Sequence, residues 1–118
     1  MSEPVAPMYN MGKILEMSRG NNDFVKKMVE LTISESSNSK QKIVEAYEAG
    51  DFDTVKYYAH RLKPSIISLE INDLRNEVVQ IEALALNGQK TPELQGMIEK
   101  LDHVLGMVID NLKTEYNA

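Results

Sequence analysis

The sequence predicts an all-α protein, an antiparallel up-down four-helix bundle with a short additional N-terminal helix. Three observations carry this. Apolar residues recur at alternating spacings of three and four over long stretches, the signature of an amphipathic helix with one buried side. No stretch alternates apolar and polar residues as a half-buried strand would. The breaks between the periodic stretches are short and built from Gly, Asn, Asp and Pro, which suits tight connections between neighbouring antiparallel helices.

The elements follow in order. Residues 1–9, with Pro4 and Pro7, read as a flexible arm, and residues 10–118 as a single domain. "MGKILEMSRG" reads as a short helix stopped at Gly20, where glycine can adopt the left-handed cap conformation. "NND" then offers side-chain N-caps for a helix starting near residue 22. From Asp23 to Ala49 the pattern is helical, with Phe24, Met28 and Leu31 expected inside near the start and Ile43, Ala46 and Tyr47 near the end. The serine-rich middle, "ISESSNSKQ", is a poor helix former. One continuous helix is still expected, because Gly50 followed by Asp51 is the single clear stop and restart.

Asp51 caps the next helix, whose seam is Phe52, Val55, Ala59, Leu62, Ile66 and Leu69. A short turn at Asn72 leads to a helix with Leu74, Val78, Ile81 and Ala85 inside. "NGQKTP" ends it, with Gly88 as terminator, Thr91 as the next N-cap and Pro92 in the first turn. The last helix repeats the seam with Leu94, Ile98, Leu101, Leu105, Val108 and Leu112.

Composition narrows the function. The chain has 118 residues, enough for one domain with its own core. It has no cysteine, which removes disulfides, thiolate metal sites and a cysteine nucleophile. A net charge of −5 argues against nucleic acid and anionic lipid as partners. No run approaches the ~20 apolar residues of a membrane span, and "MSEPVAPMYN" lacks the basic and apolar regions of a secretory signal, so a cytoplasmic location is expected. No P-loop or glycine-rich kinase motif is present, so no nucleotide site is expected.

One stretch stands apart: "YYAHRLKPSIISLE", residues 57–70, holds His60, one of two histidines. His60 follows the seam residue Ala59 directly, so at 100° per residue it leaves the core side and faces solvent. Asp53, Lys56, Tyr57, Pro64 and Ile67 share its face, with Lys63 at the edge. Two readings stay open on this geometry: a histidine that only decorates a wet surface, or a reactive imidazole in a docking patch that mixes basic and apolar groups. A neutral imidazole is a usable nucleophile, and Lys63, one turn on, is placed to sit against an anion formed there. His103 has no such surroundings and reads as a surface histidine. With so few ligands, no metal site is expected.

At these residues the sequence resembles the histidine-containing phosphotransfer (HPt) family of two-component phosphorelays. The family's His-x-x-Lys-Gly-Ser-like stretch stands here as "AHRLKPS", preceded by "EAYEAGDFDTVKYY"; "LRNEVVQIEALA" is similar to the stretch in the family's next helix. "ILEMSRGNNDFVKKMVELT" resembles its opening helix, glycine turn and second helix, so the likeness spans roughly residues 10–88. The resemblance implies a carrier without enzymatic machinery of its own. His60 would accept a phosphoryl group from the phospho-aspartate of a receiver domain and pass it to another receiver. Lys63 would steady the phosphoryl oxygens, and Glu82 would orient the imidazole through its other nitrogen. Lys56, Tyr57, Arg61, Pro64, Ser65 and Ile67 would form the docking face.

The implied partners are response-regulator receiver domains, a hybrid histidine kinase, or both. No cofactor is implied for this chain, since Mg²⁺ would sit on the receiver, and a monomer is expected. The alternative is a helical adaptor or dimerisation module that uses the His60 face without phosphate transfer. Two departures from the family are visible, Pro64 and Glu70, where glycine is usual. Pro64 cannot donate to the carbonyl of His60, so a local bend is expected there. Glu70 is expected to avoid the left-handed conformation that glycine adopts, moving the turn to Asn72.

Overall fold

The computed structural model describes residues 9–118. Of the expected N-terminal arm, residues 1–8 lie outside the described residues. Five helices follow one another: α1 (Gly12–Ser18), α2 (Asn22–Ala49), α3 (Phe52–Ser68), α4 (Asn72–Ala85) and α5 (Pro92–Tyr116). There is no strand among the described residues. Helix α3 packs on α2 and α4, and α5 closes the ring against the same two, while α1 lies on α2. The result is a four-helix bundle with one short extra helix. None of the helices is long and apolar enough to cross a membrane.

Side-chain caps set where the long helices begin. The Asn21 carboxamide oxygen accepts from the Phe24 N–H, the Thr91 hydroxyl from Leu94, and the Asp51 carboxylate from both the N–H and hydroxyl of Thr54. Each satisfies donors that the first helical turn leaves unpaired. Pro92 occupies the first turn of α5, where its missing N–H costs nothing. Helix α2 runs unbroken through its serine-rich centre, and two of those serines, Ser36 and Ser39, face the core. Tertiary packing overrides the weak local propensity there.

The inner face of α2 differs from the sequence reading in its first half. Val25, Val29 and Ile33 are buried, whereas Leu31 is 56% exposed and Phe24 and Met28 are only partly covered. Both sets run at helical spacings of three or four, on different sides of α2. The β-branched set points into the bundle, and Met28 and Leu31 line a hollow with Ile14 of α1.

The α3–α4 turn also differs from expectation. Glu70 has φ 50°, the left-handed conformation it was expected to avoid. The Ile71 N–H donates to the Ile66 carbonyl and the Glu70 N–H to the Ile67 carbonyl, the paired bonds of a Schellman motif. Ile66 and Ile71 are both fully buried, which supplies the apolar contact that accompanies this motif. That burial holds the strained glutamate in place. Asn72 is instead the first residue of α4.

Helix α3 carries the feature that matters most for function. Val55, Ala59, Leu62, Ile66 and Leu69 are each at most 1% exposed. Burying a Leu, Ile or Val side chain contributes about 1.5–3 kcal/mol. Turning α3 by one residue to hide His60 would surrender several such contributions, so the seam fixes the histidine outward.

Candidate functional site

His60 lies in the middle of α3 with 71% of its side chain exposed. Its Nδ1 is 3.2 Å from Oε2 of Glu82, which α4 presents from the adjacent position in the ring. The other oxygen of the same carboxylate, Oε1, takes the Lys63 ammonium at 2.5 Å. Lys63 stands one turn after His60 on α3, so a single carboxylate ties two α3 side chains to α4. The Lys63 ammonium, with His60 adding to it, holds the Glu82 carboxyl below the usual carboxylate range despite the opposing effect of burial.

This arrangement decides the state of the ring. An ionised carboxylate only accepts hydrogen bonds, so the Nδ1 that faces it carries the proton and donates. In the neutral imidazole that leaves the lone pair on Nε2, the nitrogen turned away from Glu82. The site therefore presents a basic nitrogen to solvent, with its tautomer held from behind.

The surroundings mix both signs of charge with an exposed aromatic ring. Asp53, Lys56, Tyr57, His60, Arg61 and Glu82 line an open hollow of about 510 Å³. Tyr57 is 57% exposed, and its ring packs edge-on against Tyr58 with centroids 4.9 Å apart. Such a contact steadies an aromatic group that has no cover from above. Arg61 leans the other way and pairs with Glu35 of α2 at 3.3 Å.

The six residues expected to form a docking face do not lie in one hollow. Lys56, Tyr57 and Arg61 surround His60 directly. Pro64 and Ser65 line a neighbouring hollow with Ile14, Met28, Leu31 and Glu35, and Arg61 joins the two. Ile67, 44% exposed, faces α4 beside Lys63, Arg75 and Val79. His103 is exposed on α5. Glu35, Arg75 and Val79 border the site without a sequence signal, and Leu31, expected inside the bundle, borders it as well.

Pro64 does not interrupt α3. Its ring is on the exposed side, where water can hydrate the His60 carbonyl that lacks a helical donor.

A bundle that displays one histidine, clamped through Nδ1 and flanked by basic side chains, belongs to the class of histidine phosphotransfer modules. The family model described as "Hpt domain" matches residues 27–115, three quarters of the chain, and the chain belongs to that family, the phosphotransfer carriers of phosphorelays. Among solved structures, it is similar to histidine-containing phosphotransfer protein B (HptB) from Pseudomonas aeruginosa PAO1. That match has a TM-score of 0.79 and 18% identity, covering 95% of this chain and 96% of that one. At this identity the likeness shows the shared fold. No curated protein matches the sequence closely enough to count as a relative.

Proposed function

We propose that this protein is a phosphorelay intermediate in which Nε2 of His60 accepts the phosphoryl group from the phospho-aspartate of one receiver domain and delivers it to another. The observation that carries the reading is the Glu82 carboxylate on Nδ1, which leaves Nε2 basic and outward. The reaction forms an N–P bond as the aspartyl O–P bond breaks, and Asp leaves as carboxylate. Most of the remaining catalysis would come from the receiver, including any Mg²⁺ that neutralises the phosphoryl oxygens.

Within this reading Glu82 orients the ring, and Lys63 supplies the positive charge nearest the incoming phosphoryl group. Lys56, Tyr57, Arg61, Pro64, Ser65 and Ile67 form the receiver footprint, arranged across the three hollows that flank His60. Residues 10–118 act as one cytoplasmic, monomeric unit. An adaptor that only docks a partner needs no imidazole clamp, so nothing specific favours that alternative.

The test is incubation with phosphorylated receiver domains. The wild type should gain an acid-labile, alkali-stable phosphate, and His60→Gln should gain none. Equal labelling of His60→Gln would defeat the assignment.

A further inference from the structure

The outer face of α4 carries a stripe that the phosphotransfer chemistry does not use. Arg75, Val79, Ala83 and Leu86 follow one another at spacings of four, four and three, so they share one side of the helix. All four are exposed, and Leu86, at 67%, is more so than any other large apolar side chain among the described residues. Ile67 of α3 continues the patch. It meets Val79 in a hollow of about 230 Å³ whose charged lining is Lys63 and Arg75, both cations.

These cations stand out on a chain with a net charge of −5. The carboxylates of α4 are committed elsewhere. Glu77 accepts from Lys100 of α5 at 2.7 Å, and the charge of Asp73 also bears on that lysine. Glu82 divides its oxygens between His60 and Lys63. Arg75 takes part in none of the ion pairs among the described residues. An exposed arginine flanked by aliphatic side chains has the composition of an interface anchor.

We propose that this α4 face, from Arg75 to Leu86 with Ile67 beside it, seats an acidic amphipathic helix of a partner protein. The stripe runs roughly 16 Å, about three turns of helix. That length and spacing suit a second helix laid along α4, since an extended peptide would need a sheet edge to pair with. Ala83 in the middle lets the partner backbone come close, while Val79, Leu86 and Ile67 supply apolar contact. A partner carboxylate at the end of that seam meets Arg75 in a charge-assisted hydrogen bond.

A second copy of this chain does not fit the seat. A two-fold pairing sets the same patch against itself, so Lys63 and Arg75 would face the same cations. Ile67 also belongs to the receiver footprint proposed above, so a helix on this face and a receiver on His60 exclude each other. That consequence rests on the phosphotransfer reading, whereas the seat itself does not.

The probe is a synthetic peptide of about 18 residues, long enough to form a helix. It carries Leu at spacings of three and four with Glu on both flanks, and a control peptide carries Lys in place of each Glu. Each is titrated into the full ¹⁵N-labelled chain without phosphate. The acidic peptide should shift the amides of Arg75, Val79, Ala83 and Leu86, and the basic control should leave them unmoved. Arg75→Glu and Val79→Ser should each weaken the acidic peptide about tenfold. Met17→Ser, at an exposed apolar position on α1, should leave its affinity unchanged. No shift with the acidic peptide, equal shifts with both peptides, or an affinity untouched by Arg75→Glu overturns the proposal, as does dimerisation of the chain through this face. Phosphoryl uptake from a receiver should be lost when the acidic peptide saturates the face, and unchanged uptake at saturation overturns the exclusion. Labelling of His60→Gln would instead overturn the phosphoacceptor reading and leave the peptide result standing, so the two failures are distinguishable.

Discussion

His60 Nδ1 and Glu82 Oε2 meet at 3.2 Å across the α3–α4 interface, although the residues are 22 positions apart in the chain. That contact selects the proton position on the imidazole and, with it, the nitrogen that can act as nucleophile. Glu82→Ala should release the ring into a mixture of both tautomers, visible in the ¹⁵N shifts of His60. Partners that orient an imidazole in this way are typically worth 10–100-fold in activity. The rate of phosphoryl uptake from a receiver should fall by about that factor, with the helical content unchanged. Retention of the single Nδ1–H tautomer in Glu82→Ala would remove the carboxylate from its orienting role.

Glu70 pays a conformational penalty that glycine would not. It adopts φ 50° at the end of α3, where the left-handed region costs an ordinary L-residue roughly 1–2 kcal/mol. Glu70→Gly should stabilise the protein by about 1 kcal/mol after allowing for the greater freedom of glycine in the unfolded chain. A urea titration would register this as a higher midpoint. A lower midpoint would mean that the Glu70 side chain makes a compensating interaction.

Pro64 removes the donor that would pair with the His60 carbonyl, on the exposed side of α3. Pro64→Ala restores that hydrogen bond. An interior proline costs ~3 kcal/mol, but its rigidity also restrains the unfolded chain, so a net gain of about 2 kcal/mol is expected. Hydrogen exchange at residue 64 of the variant should show a protected amide; fast exchange would show that α3 stays open at this turn.

Tyr9 ties the start of the described chain to the end of α5, donating from its hydroxyl to Glu115 at 2.9 Å. Partial burial, the Glu115 hydrogen bond and nearby negative charge push its phenol up from 10.0 to about 12. Because the folded state favours the protonated phenol, the associated stability is fully present below pH 10.0 and is lost as pH rises toward about 12. Wild-type stability should therefore fall across that window, and Tyr9→Phe should show a flatter profile. Parallel pH profiles for the two proteins would contradict the assignment.

These residues also show what the sequence could and could not convey. The outward placement of His60 was legible because Val55, Ala59, Leu62, Ile66 and Leu69 fix the rotation of α3, and a helix has only one period to satisfy. The first half of α2 was not, because two apolar series run there at helical spacing. Met28 and Leu31 instead border the hollow beside Ile14 of α1. At Glu70 local preference disfavours φ above zero, whereas burial of Ile66 and Ile71 enforces it. Glu82 was reached by resemblance alone. Its simultaneous hold on His60 and Lys63 depends on the axial register of α3 against α4, which no local pattern encodes. The Arg61–Glu35 pair depends on register against α2 in the same way.

The central claim is that Nε2 of His60 is the atom that takes the phosphoryl group, and its most direct test is to locate the phosphorus. The ¹⁵N-labelled protein is phosphorylated by a receiver domain, and ³¹P–¹⁵N and ¹H–¹⁵N correlations are recorded on the imidazole. The account predicts phosphorus on Nε2 of His60 with a hydrogen retained on Nδ1. Phosphorus on Nδ1, or on His103 instead, would contradict it.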